Sequence, residues 1–521
     1  MSGVDAGELL LENPPPPKLS LVRVLIALAL VAGIAGSGAY AIERHAAGAL
    51  RTPAARFAPY VDVTLTPTYS FQNPTTNPVQ RVVLGFVVAD RAKSCAPSWG
   101  GYYSPSQAES ALNLDQRVTQ VQAQGGVATV SFGGQAGTEL AVSCADVPRL
   151  AATYMDVLHR YGVSDADFDV EGSALEDPAA NQRRAEALAR VQHRFAATGR
   201  RLRVWLTLPA VPHGLTPAGV GAVRAMLAGG VVLTGVNLLA MDFTPTHAVQ
   251  NDIIGAVESA LAHAHEQLTA LDAQVRIDHR SAAVWGQLGV TVMIGRNDTA
   301  GETFTLGDAR ALASFVEEHG IAQISTWSLN RDTECGSVFA EVGVLSNLCS
   351  GVKQAPLAFT RIFSKLPGTV TAASQAASAL PSTGSVSSDD PSSSPYPVWR
   401  PDAAYPGGYK VVWHHAVYQA LWFAQAQAPD APVSGQGQTP WLLLGPVLAG
   451  ESAPKPILAD RTVHVTWSPR AVYRAGARVR YQGLPFVAKW YSQSVVPETN
   501  LPASSQSPWR PLFTIAGEPG T

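Results

Sequence analysis

This 521-residue chain has no large excess of positive or negative charge. It contains 37 Lys and Arg residues and 40 Asp and Glu residues, which gives a formal net charge of −3. Proteins that bind nucleic acid usually carry a basic excess, so we exclude nucleic acid as a partner. Hydrophobic residues make up 46% of the chain and charged residues 15%, which excludes global disorder. The length suggests about three folded units.

Cysteine is scarce, and its spacing excludes common metal sites. The four residues, Cys95, Cys144, Cys335 and Cys349, form no C-x-x-C pair, so a zinc or thioredoxin-type site has no support. The 12 His residues do not cluster at ligand spacing, and Walker and Gly-x-Ser-x-Gly motifs are absent. In an exported chain an even number of cysteines favours two disulfides, one of them Cys335–Cys349; four buried free thiols are the alternative.

One long uncharged run, Val24–Ile42, lies near the N-terminus. Its 19 residues approach the ~20 needed to cross a bilayer. Lys18 and Arg23 precede it, and Ala39-Tyr40-Ala41 resembles a signal-peptide cleavage site. The length of the run and the Pro-rich head before it favour a transmembrane anchor over a cleaved signal. We therefore expect a cytoplasmic segment over 1–23, an anchor over 24–42 and an extracellular remainder, or a secreted protein if the run is cleaved.

After a predicted spacer over 43–80, short apolar runs alternate with amphipathic stretches from Arg81 to about residue 352. This alternation predicts an α/β fold with a parallel sheet. Seven runs fit a (β/α)8 TIM barrel whose second strand would fall within 100–112. An open doubly wound sheet is the alternative, but Ala89-Asp90-Arg91 is not the Gly-rich loop that such a sheet usually has after its first strand.

The C-terminal third predicts two small all-β modules. Residues 367–394 are rich in Ser, Ala, Thr and Pro and read as a flexible linker. A gap-free repeat with an offset of 68 follows, in which Trp399 aligns with Trp467 and Trp422 with Trp490. Units of this length with aromatic residues and Gly turns predict β modules at 395–446 and 463–514.

The segment Ser164–Gly172 carries acids at four alternate positions, Asp165, Asp167, Asp169 and Glu171. On a strand these carboxylates share one face, which in a barrel is the interior. Neighbouring like charges raise carboxyl pKa values, so one member can serve as a general acid near neutral pH. A solvent-facing strand is the alternative, but a strand in the middle of the alternation is expected to be buried.

This segment resembles the Asp-x-x-Asp-x-Asp-x-Glu signature of glycoside hydrolase family 18, the chitinases and endo-β-N-acetylglucosaminidases. Asp167, Asp169 and Glu171 match its last three acids, while Ser164 stands at the first Asp and Asp165 where Gly is usual. Ser131-Phe132-Gly133-Gly134 is similar to the family's third-strand Ser-x-Gly-Gly.

Three further segments resemble motifs at the ends of later barrel strands. Thr291–Asp298 and Ser325–Asp332 are similar to the seventh and eighth strands of a bacterial chitinase subgroup, in which Trp327 would form the floor of the sugar pocket. At the sixth strand the family usually has Met-x-Tyr-Asp, and this chain has Met241-Asp242-Phe243. The Asp is present, but the aromatic residue is Phe243, which has no hydroxyl.

The resemblance implies substrate-assisted retaining hydrolysis without a metal or organic cofactor. Glu171 would protonate the glycosidic oxygen, Asp169 would hold the acetamide N–H, and Asp167 would share a proton with Asp169. The expected substrate-binding residues are Ser131, Gly133, Met241, Asp242, Phe243 and Trp327.

The C-terminal repeats resemble chitin-binding modules of carbohydrate-binding families 5 and 12. The resemblance implies sugar-binding aromatic residues at Trp422, Phe423, Trp441, Trp490, Tyr491 and Trp509. On a strand the adjacent pairs 422/423 and 490/491 would point to opposite faces, which would expose one ring of each. The alternative is that such rings form the cores of very small domains.

Together these features predict an exported chitinase-like hydrolase that acts on chitin or a related N-acetylglucosamine polymer. Two alternatives remain. Ser164 and Phe243 keep open a catalytically inactive glycan-binding surface protein, and an endo-β-N-acetylglucosaminidase acting on cell-wall glycans fits the same motifs.

Overall fold

The computed structural model describes residues 54–243, 252–274, 281–336, 345–371, 389–431, 439–452, 462–463, 465–497 and 507–518. The predicted anchor or signal, Val24–Ile42, lies outside these residues, as does the central part of the predicted linker, 372–388. Among the helices of the described ranges, none combines the length and the apolar character needed to cross a bilayer.

Parallel strands curl into a (β/α)8-like barrel, which confirms the predicted parallel sheet. Neighbouring strands pair in chain order, with register set by contacts such as Ser131 with Asp167 and Asp167 with Trp205. In the described residues the barrel strands are Arg56–Phe57 with Tyr60–Asp62, Arg81–Ala89, Val127–Gly133, Asp165–Asp169, Arg203–Val211, Leu233–Leu239, Leu288–Met293 and Gln323–Trp327.

Residues 56–62 form the first strand and close the barrel. Arg56–Phe57 pairs with Gln323–Trp327, and Tyr60–Asp62 pairs with Arg81–Ala89, both in parallel. The prediction of a spacer over 43–80 is therefore wrong for this segment, and Arg81–Ala89 is the second strand rather than the first. Pro59 divides the strand into two short pieces because proline has no N–H for the ladder, which hides the strand from a periodicity search.

Residues 100–112, where the sequence predicts a strand, contain the helix Pro105–Leu112. Ser104 and Gln107 cap its start reciprocally: Ser104 Oγ accepts from the Gln107 N–H at 3.3 Å, and Gln107 Oε1 accepts from the Ser104 N–H at 2.9 Å. Pro105 suits the first turn, where an N–H has no partner within the helix.

Helices cover the outside of the barrel, and the apolar positions of the acid-bearing strand face them. The Phe168 ring stacks on Phe132 at 5.0 Å and meets Tyr154 edge-on at 5.1 Å. The acids on alternate positions therefore face the barrel interior, as predicted. The described helices are Pro105–Leu112, Leu114–Ala123, Leu140–Ser143, Val147–Arg160, Gly172–Leu175, Pro178–Ala197, Pro217–Ala228, Ile253–Gln274, Ser281–Trp285, Leu306–His319 and Ala358–Phe363.

The barrel extends beyond its predicted end at 352. Helix Ala358–Phe363 packs its last ring on Phe57, with centroids 5.4 Å apart. The Gly368 N–H donates to the Ala55 carbonyl at 2.8 Å, and the Phe57 N–H donates to Thr369 Oγ1 at 2.9 Å. The first residues of the predicted linker therefore belong to the barrel.

Two disulfides join the four cysteines, as predicted. Cys335 pairs with Cys349, and Cys95 pairs with Cys144, which ties the loop after the second barrel strand to the segment after the third. The alternative of four free thiols is wrong.

The C-terminal repeats form two small sets of antiparallel strands. Corresponding strands start 68 residues apart, which is the sequence offset of the repeat. The first module contains Ala404–Tyr405, Lys410–Trp413, Ala416–Ala420, Ala424–Gln425 and Trp441–Pro446; the second contains Val472–Tyr473, Arg478–Tyr481, Leu484–Ala488, Ser492–Gln493 and Trp509–Pro511.

The first module packs directly on the barrel. A Cβ added at Gly445 would lie 2.3 Å from the Gln116 carbonyl oxygen, on the helix Leu114–Ala123. Gln72 Nε2 donates to the Leu443 carbonyl at 3.0 Å, and Gln116 Nε2 donates to the Glu451 carboxylate at 3.0 Å. The module therefore has a packed interface with the barrel in addition to its covalent connection.

Candidate active site

A cavity of about 510 Å³ opens at the carboxyl ends of the barrel strands. Loops at this end of a barrel usually carry the active site, because successive strands deliver their side chains to a common space. Its lining includes Tyr60, Phe86, Asp169, Glu171, Met241, Asp242, Phe243 and Trp327. The structure therefore brings together two of the three predicted catalytic acids, the sixth-strand residues and the predicted floor tryptophan.

Asp165 is the member of the acid row that lies farthest from this cavity, which is lined by Asp169 and Glu171. It opens the strand Asp165–Asp169, and Arg203 Nε donates to its Oδ1 at 2.7 Å. Because the side chains of the row are two residues apart, each step moves the carboxylate about one layer along the barrel axis. Asp165 thus lies at the opposite end of the strand from the cavity.

Asp167 is buried in the barrel and held by three hydroxyl groups. Tyr60 and Ser131 donate to its Oδ2 at 2.8 and 2.6 Å, and Thr207 donates to its Oδ1 at 2.5 Å. Burial raises the pKa of the Asp167 carboxyl, and the three hydroxyl hydrogen bonds act in the opposite direction because they stabilise its charge. Its position is therefore fixed by side chains from the first strand and from the two strands next to its own.

Asp169 lines the cavity and keeps one oxygen without a partner. The residue is 3% exposed, and its Oδ1 is buried with no hydrogen bond within the described structure. Burial, the charge of Glu171 and the charge of Asp167 raise its pKa well above the ordinary range of a carboxyl. Burying an unpaired polar atom is costly, so this oxygen is suited to a group supplied by a bound ligand.

Glu171 stands just past the end of the strand, at the start of the short helix Gly172–Leu175. Its carboxyl lines the cavity beside Asp169. Burial and the negative charge of Asp242 raise the pKa of Glu171 from 4.5 to about 7. A carboxyl with this pKa is well matched to proton transfer near neutral pH.

Met241, Asp242 and Phe243 follow the sixth strand and form one wall of the cavity. Asp242 has a φ of 53°, in the left-handed region, and its Oδ1 accepts from the Thr299 N–H at 2.9 Å. Burial raises the pKa of Asp242. Phe243 is 1% exposed, so the ring that lacks a hydroxyl is packed into the wall.

Trp327 ends the eighth strand and belongs to an aromatic wall. Its ring stacks on Phe86 with centroids 5.5 Å apart and lies 6.3 Å from the Tyr60 ring. All three rings line the cavity. Flat apolar surface of this kind suits the face of a sugar ring.

Ser131 and Gly133 do not line the cavity, although both were predicted to bind substrate. Ser131 is buried and donates to Asp167. A Cβ at Gly133 would lie 2.0 Å from the Asp169 carbonyl oxygen, and its φ of 104° disfavours other residues. Both residues therefore contact the acids from the neighbouring strand and lie behind the cavity lining.

Several residues at the site were missed by sequence reasoning. Tyr60 lies in the segment predicted as a spacer, and Phe86 sits in an apolar run without a distinguishing pattern. Glu302 is 2% exposed, and burial together with the negative charge of Asp242 raises its pKa to about 7. Thr207 is joined to Asn237 by a hydrogen bond of 3.1 Å. For Thr207, the sequence offered one indication of an inward-facing position: it alternates with apolar residues along its strand.

The predicted sugar-binding aromatic residues of the modules fall into two groups. Trp422, Phe423, Trp490 and Tyr491 are exposed by 46, 61, 43 and 59%. Both members of each pair are exposed, contrary to the expectation of one, because the preceding strands end at Ala420 and Ala488.

Trp441 and Trp509 are core residues, and their prediction as sugar-binding rings is wrong. They are 3 and 2% exposed. Their indole N–H groups donate within each module, to the carbonyls of Gln427 at 2.9 Å and Val495 at 2.8 Å. A ring enclosed in this way has no free face for a ligand.

Comparison with known proteins confirms the predicted likeness to chitinases. No family model matches the chain. Over 290 residues, 54% of its length, the chain is 32% identical to a probable bifunctional chitinase/lysozyme of Escherichia coli. Over 283 residues it is 31% identical to Endochitinase 11 of Metarhizium anisopliae. The chain spans 31% and 52% of the lengths of these two relatives.

Among solved structures, active domain 2 of the chitinase from Pyrococcus furiosus superimposes with a TM-score of 0.51 and 26% identity, over 60% of this chain and 95% of that domain. Catalytic-site mutants of that domain have also been determined in complex with chito-oligosaccharides. The chain is thus a homologue of chitinases over more than half of its length.

Proposed function

We propose that the barrel hydrolyses β-1,4 bonds between N-acetylglucosamine units by substrate-assisted retaining catalysis. The observation that carries this proposal is the pairing of two carboxyl groups at one cavity. Glu171 has a pKa raised to about 7, and Asp169 keeps a buried oxygen free of hydrogen bonds. One group is suited to give a proton and the other to hold a polar group of the substrate.

Glu171 acts first as the general acid. Its proton passes to the glycosidic oxygen while the carbonyl oxygen of the substrate's own acetamido group attacks the anomeric carbon. The carbon–oxygen bond to the leaving sugar breaks, and a cyclic oxazolinium ion forms. The Glu171 carboxylate then takes a proton from water as the water oxygen attacks the anomeric carbon, which regenerates the acetamido group with net retention.

Asp169 accepts the acetamide N–H through its free oxygen and stabilises the positive charge of the oxazolinium ion. Asp167 contributes indirectly: its negative charge is one cause of the raised pKa of Asp169, and the three hydroxyl groups hold it in place. The wall formed by Phe86 and Trp327 supplies an apolar face for the sugar ring.

The substrate class is supported by the relatives. Two curated relatives are named as chitinases, and the Pyrococcus furiosus domain binds chito-oligosaccharides. The presence of Asp169 and Glu171 at one cavity, with Asp167 buried behind them, is evidence against the inactive binding protein. Activity on cell-wall glycans is the second candidate, favoured by the lysozyme part of the Escherichia coli relative's name.

The two C-terminal modules bind the polymer in this proposal. Support comes from the repeat itself, because each module presents an exposed aromatic pair at the equivalent position, Trp422 with Phe423 and Trp490 with Tyr491. Two contacts with one polymer make the second contact intramolecular, which raises avidity without new chemistry.

Export completes the proposal: the barrel acts outside the cytoplasm, with Val24–Ile42 as a membrane anchor. Two disulfides support an oxidising compartment. Cell fractionation followed by N-terminal sequencing tests it. Membrane-bound protein whose N-terminus lies before Val24 supports the anchor, and a secreted form that starts near Ile42 identifies a cleaved signal.

The decisive experiment is an assay of the purified chain on soluble chito-oligosaccharides, insoluble chitin and peptidoglycan, with NMR detection of the first anomer released. We expect chito-oligosaccharide cleavage with the β-anomer formed first. Initial release of the α-anomer contradicts substrate-assisted retention. Cleavage of peptidoglycan without cleavage of chitin selects the second candidate, and binding without turnover identifies an inactive protein.

A further inference from the structure

Three arginines open barrel strands at the end opposite the cavity. Arg56, Arg81 and Arg203 are the first residues of the first, second and fifth strands. Strands of a parallel barrel start at the same end, so these residues belong to one layer near the amino ends of the strands. The layer lies at the level of Asp165, two steps of the acid row away from Asp169.

The side chain of Arg56 turns into the barrel. Its guanidinium carbon lies 5.5 Å from the Trp205 ring, and its Nε donates to Gln323 Oε1 at 3.1 Å. The Trp205 ring itself fills the barrel interior, since a Cβ at Gly235 or Gly289 would come within 2.5 or 3.0 Å of it.

Arg81 shares the inward-facing side of its strand. Val83 pairs with Tyr60, whose hydroxyl bonds Asp167 inside the barrel. Since side chains two residues apart share a face of a strand, Arg81 lies on the same side as Val83. The described part of the chain gives the Arg81 guanidinium no hydrogen-bond partner.

The charges in this layer do not balance. The charged groups that act on Arg56 are Arg81, Asp165 and Arg203. Asp165 is already engaged, because Arg203 forms two hydrogen bonds to its carboxylate through Nε and Nη2. Burial and the charge of Arg81 lower the pKa of Arg56 to about 10, and the charge of Asp165 acts in the opposite direction on both arginines. Three guanidinium groups therefore share one carboxylate, which forms hydrogen bonds to Arg203.

We propose that Arg56, Arg81 and Arg203 form a binding site for a small tetrahedral oxyanion, phosphate or sulfate. Guanidinium groups present planar pairs of N–H donors that match the oxygens of such an anion. The Arg203 side chain is 45% exposed, so the layer is reached from solvent at this end of the barrel. This site is independent of the proposed glycoside hydrolysis, because none of its residues lines the cavity.

Thermal unfolding of the full chain in phosphate, sulfate or chloride at matched ionic strength tests the proposal. A ligand that binds the folded state raises the unfolding midpoint in proportion to its affinity. We expect phosphate and sulfate to raise the midpoint relative to chloride. In Arg81→Gln this rise should be lost, while the midpoint in chloride should not fall, because an unbalanced positive charge has been removed.

Arg224→Gln is the matched control, since Arg224 is exposed on the helix Pro217–Ala228. It should keep the full response to phosphate. Isothermal titration with inorganic phosphate, on the wild type and on Arg56→Gln as a second variant, gives the same comparison without relying on unfolding. Equal responses in wild type and both variants, or no phosphate binding by the wild type, would overturn the proposal.

Discussion

The hydroxyl of Tyr60 donates a hydrogen bond of 2.8 Å to Asp167 Oδ2, although 107 residues separate the two in the chain. This hydrogen bond joins the first strand, which closes the barrel, to the strand that carries the acids. The same oxygen accepts from Ser131 at 2.6 Å, so side chains from the first and third strands hold one carboxylate oxygen. Closure of the barrel and placement of the acids are thereby linked.

Tyr60→Phe removes this hydrogen bond while keeping the ring in the aromatic wall. Because the bond stabilises the charged form of Asp167, its loss should raise the pKa of that carboxyl further. We expect a loss of stability of about 1 kcal/mol and a shifted pH profile of kcat/KM on a soluble chito-oligosaccharide. A variant with an unchanged pH profile would show that the hydroxyl has a structural role alone.

Glu171→Gln should abolish hydrolysis and leave the fold intact, because the amide cannot donate the required proton. General acid catalysis contributes about 100- to 10,000-fold, so kcat should fall at least by this order. Glu176→Gln is the matched control, since Glu176 is an exposed carboxylate five residues further on. Retention of most activity by Glu171→Gln would refute its role as the acid.

The pH dependence should follow Glu171, which is active when protonated. With a pKa of about 7, kcat/KM should fall as pH rises through the neutral range. Asp242→Asn removes a negative charge that raises this pKa, so the fall should move to lower pH. Measuring kcat/KM across the neutral range in both proteins checks this, and an unmoved profile in Asp242→Asn would contradict the coupling.

The free energy of unfolding should also decrease as pH rises through the neutral range, as kcat/KM does. The folded-state pKa of Glu171 is raised above its ordinary value of 4.5, so the folded protein binds this proton more tightly than the unfolded chain. The stabilising contribution is complete below about 4.5 and is lost as pH rises to about 7. Glu171→Gln should remove this part of the pH dependence from denaturant unfolding curves.

Trp422→Ala and Trp490→Ala should each weaken binding to insoluble chitin and leave turnover of a short soluble oligomer unchanged. By analogy with ring stacking on nucleobases, the loss should be about 1–3 kcal/mol per ring. Val472→Ala, another exposed apolar residue of the second module, is the control. Pull-down isotherms on chitin give the measurement; undiminished binding by the double variant would assign the modules another role.

The parallel sheet, the acid row and the carboxyl-end motifs could be predicted from the sequence because each depends on local spacing. Asp167, Asp169 and Glu171 share a face by simple alternation, and strand direction then places Asp242 and Trp327 at the same end. The roles of Trp441 and Trp509 could not be predicted, since an aromatic residue in a short β module can stabilise the core or face solvent. Only the packing seen in the structure distinguishes a core ring from a solvent-facing one.

The first strand was missed for a different reason. Two pieces of two and three residues around Pro59 are too short for a periodic signal, and Arg56–Phe57 pairs with a strand at the other end of the barrel sequence. Tyr60 therefore could not be assigned to the site. Ser131 and Gly133 were found by their motif, but a motif does not distinguish a residue that contacts substrate from one that positions an acid.

Gly445→Ala should disturb the contact between the first module and the barrel, because the added Cβ would lie 2.3 Å from the Gln116 carbonyl oxygen. We expect a lower unfolding midpoint. Gly221→Ala is the control, since a Cβ at Gly221 meets nothing within 4 Å. Differential scanning calorimetry measures both, and equal midpoints in the two variants would contradict a close-packed interface.

The same interface gives the chain a second attachment between its two halves. Proteolytic cleavage within 372–388 would break the covalent connection but leave Gly445 seated on the helix Leu114–Ala123 and Gln116 bonded to Glu451. The nicked protein would therefore still sediment as one particle, and its fragments would separate only in denaturant. Limited digestion alone would then leave the first module joined to the barrel.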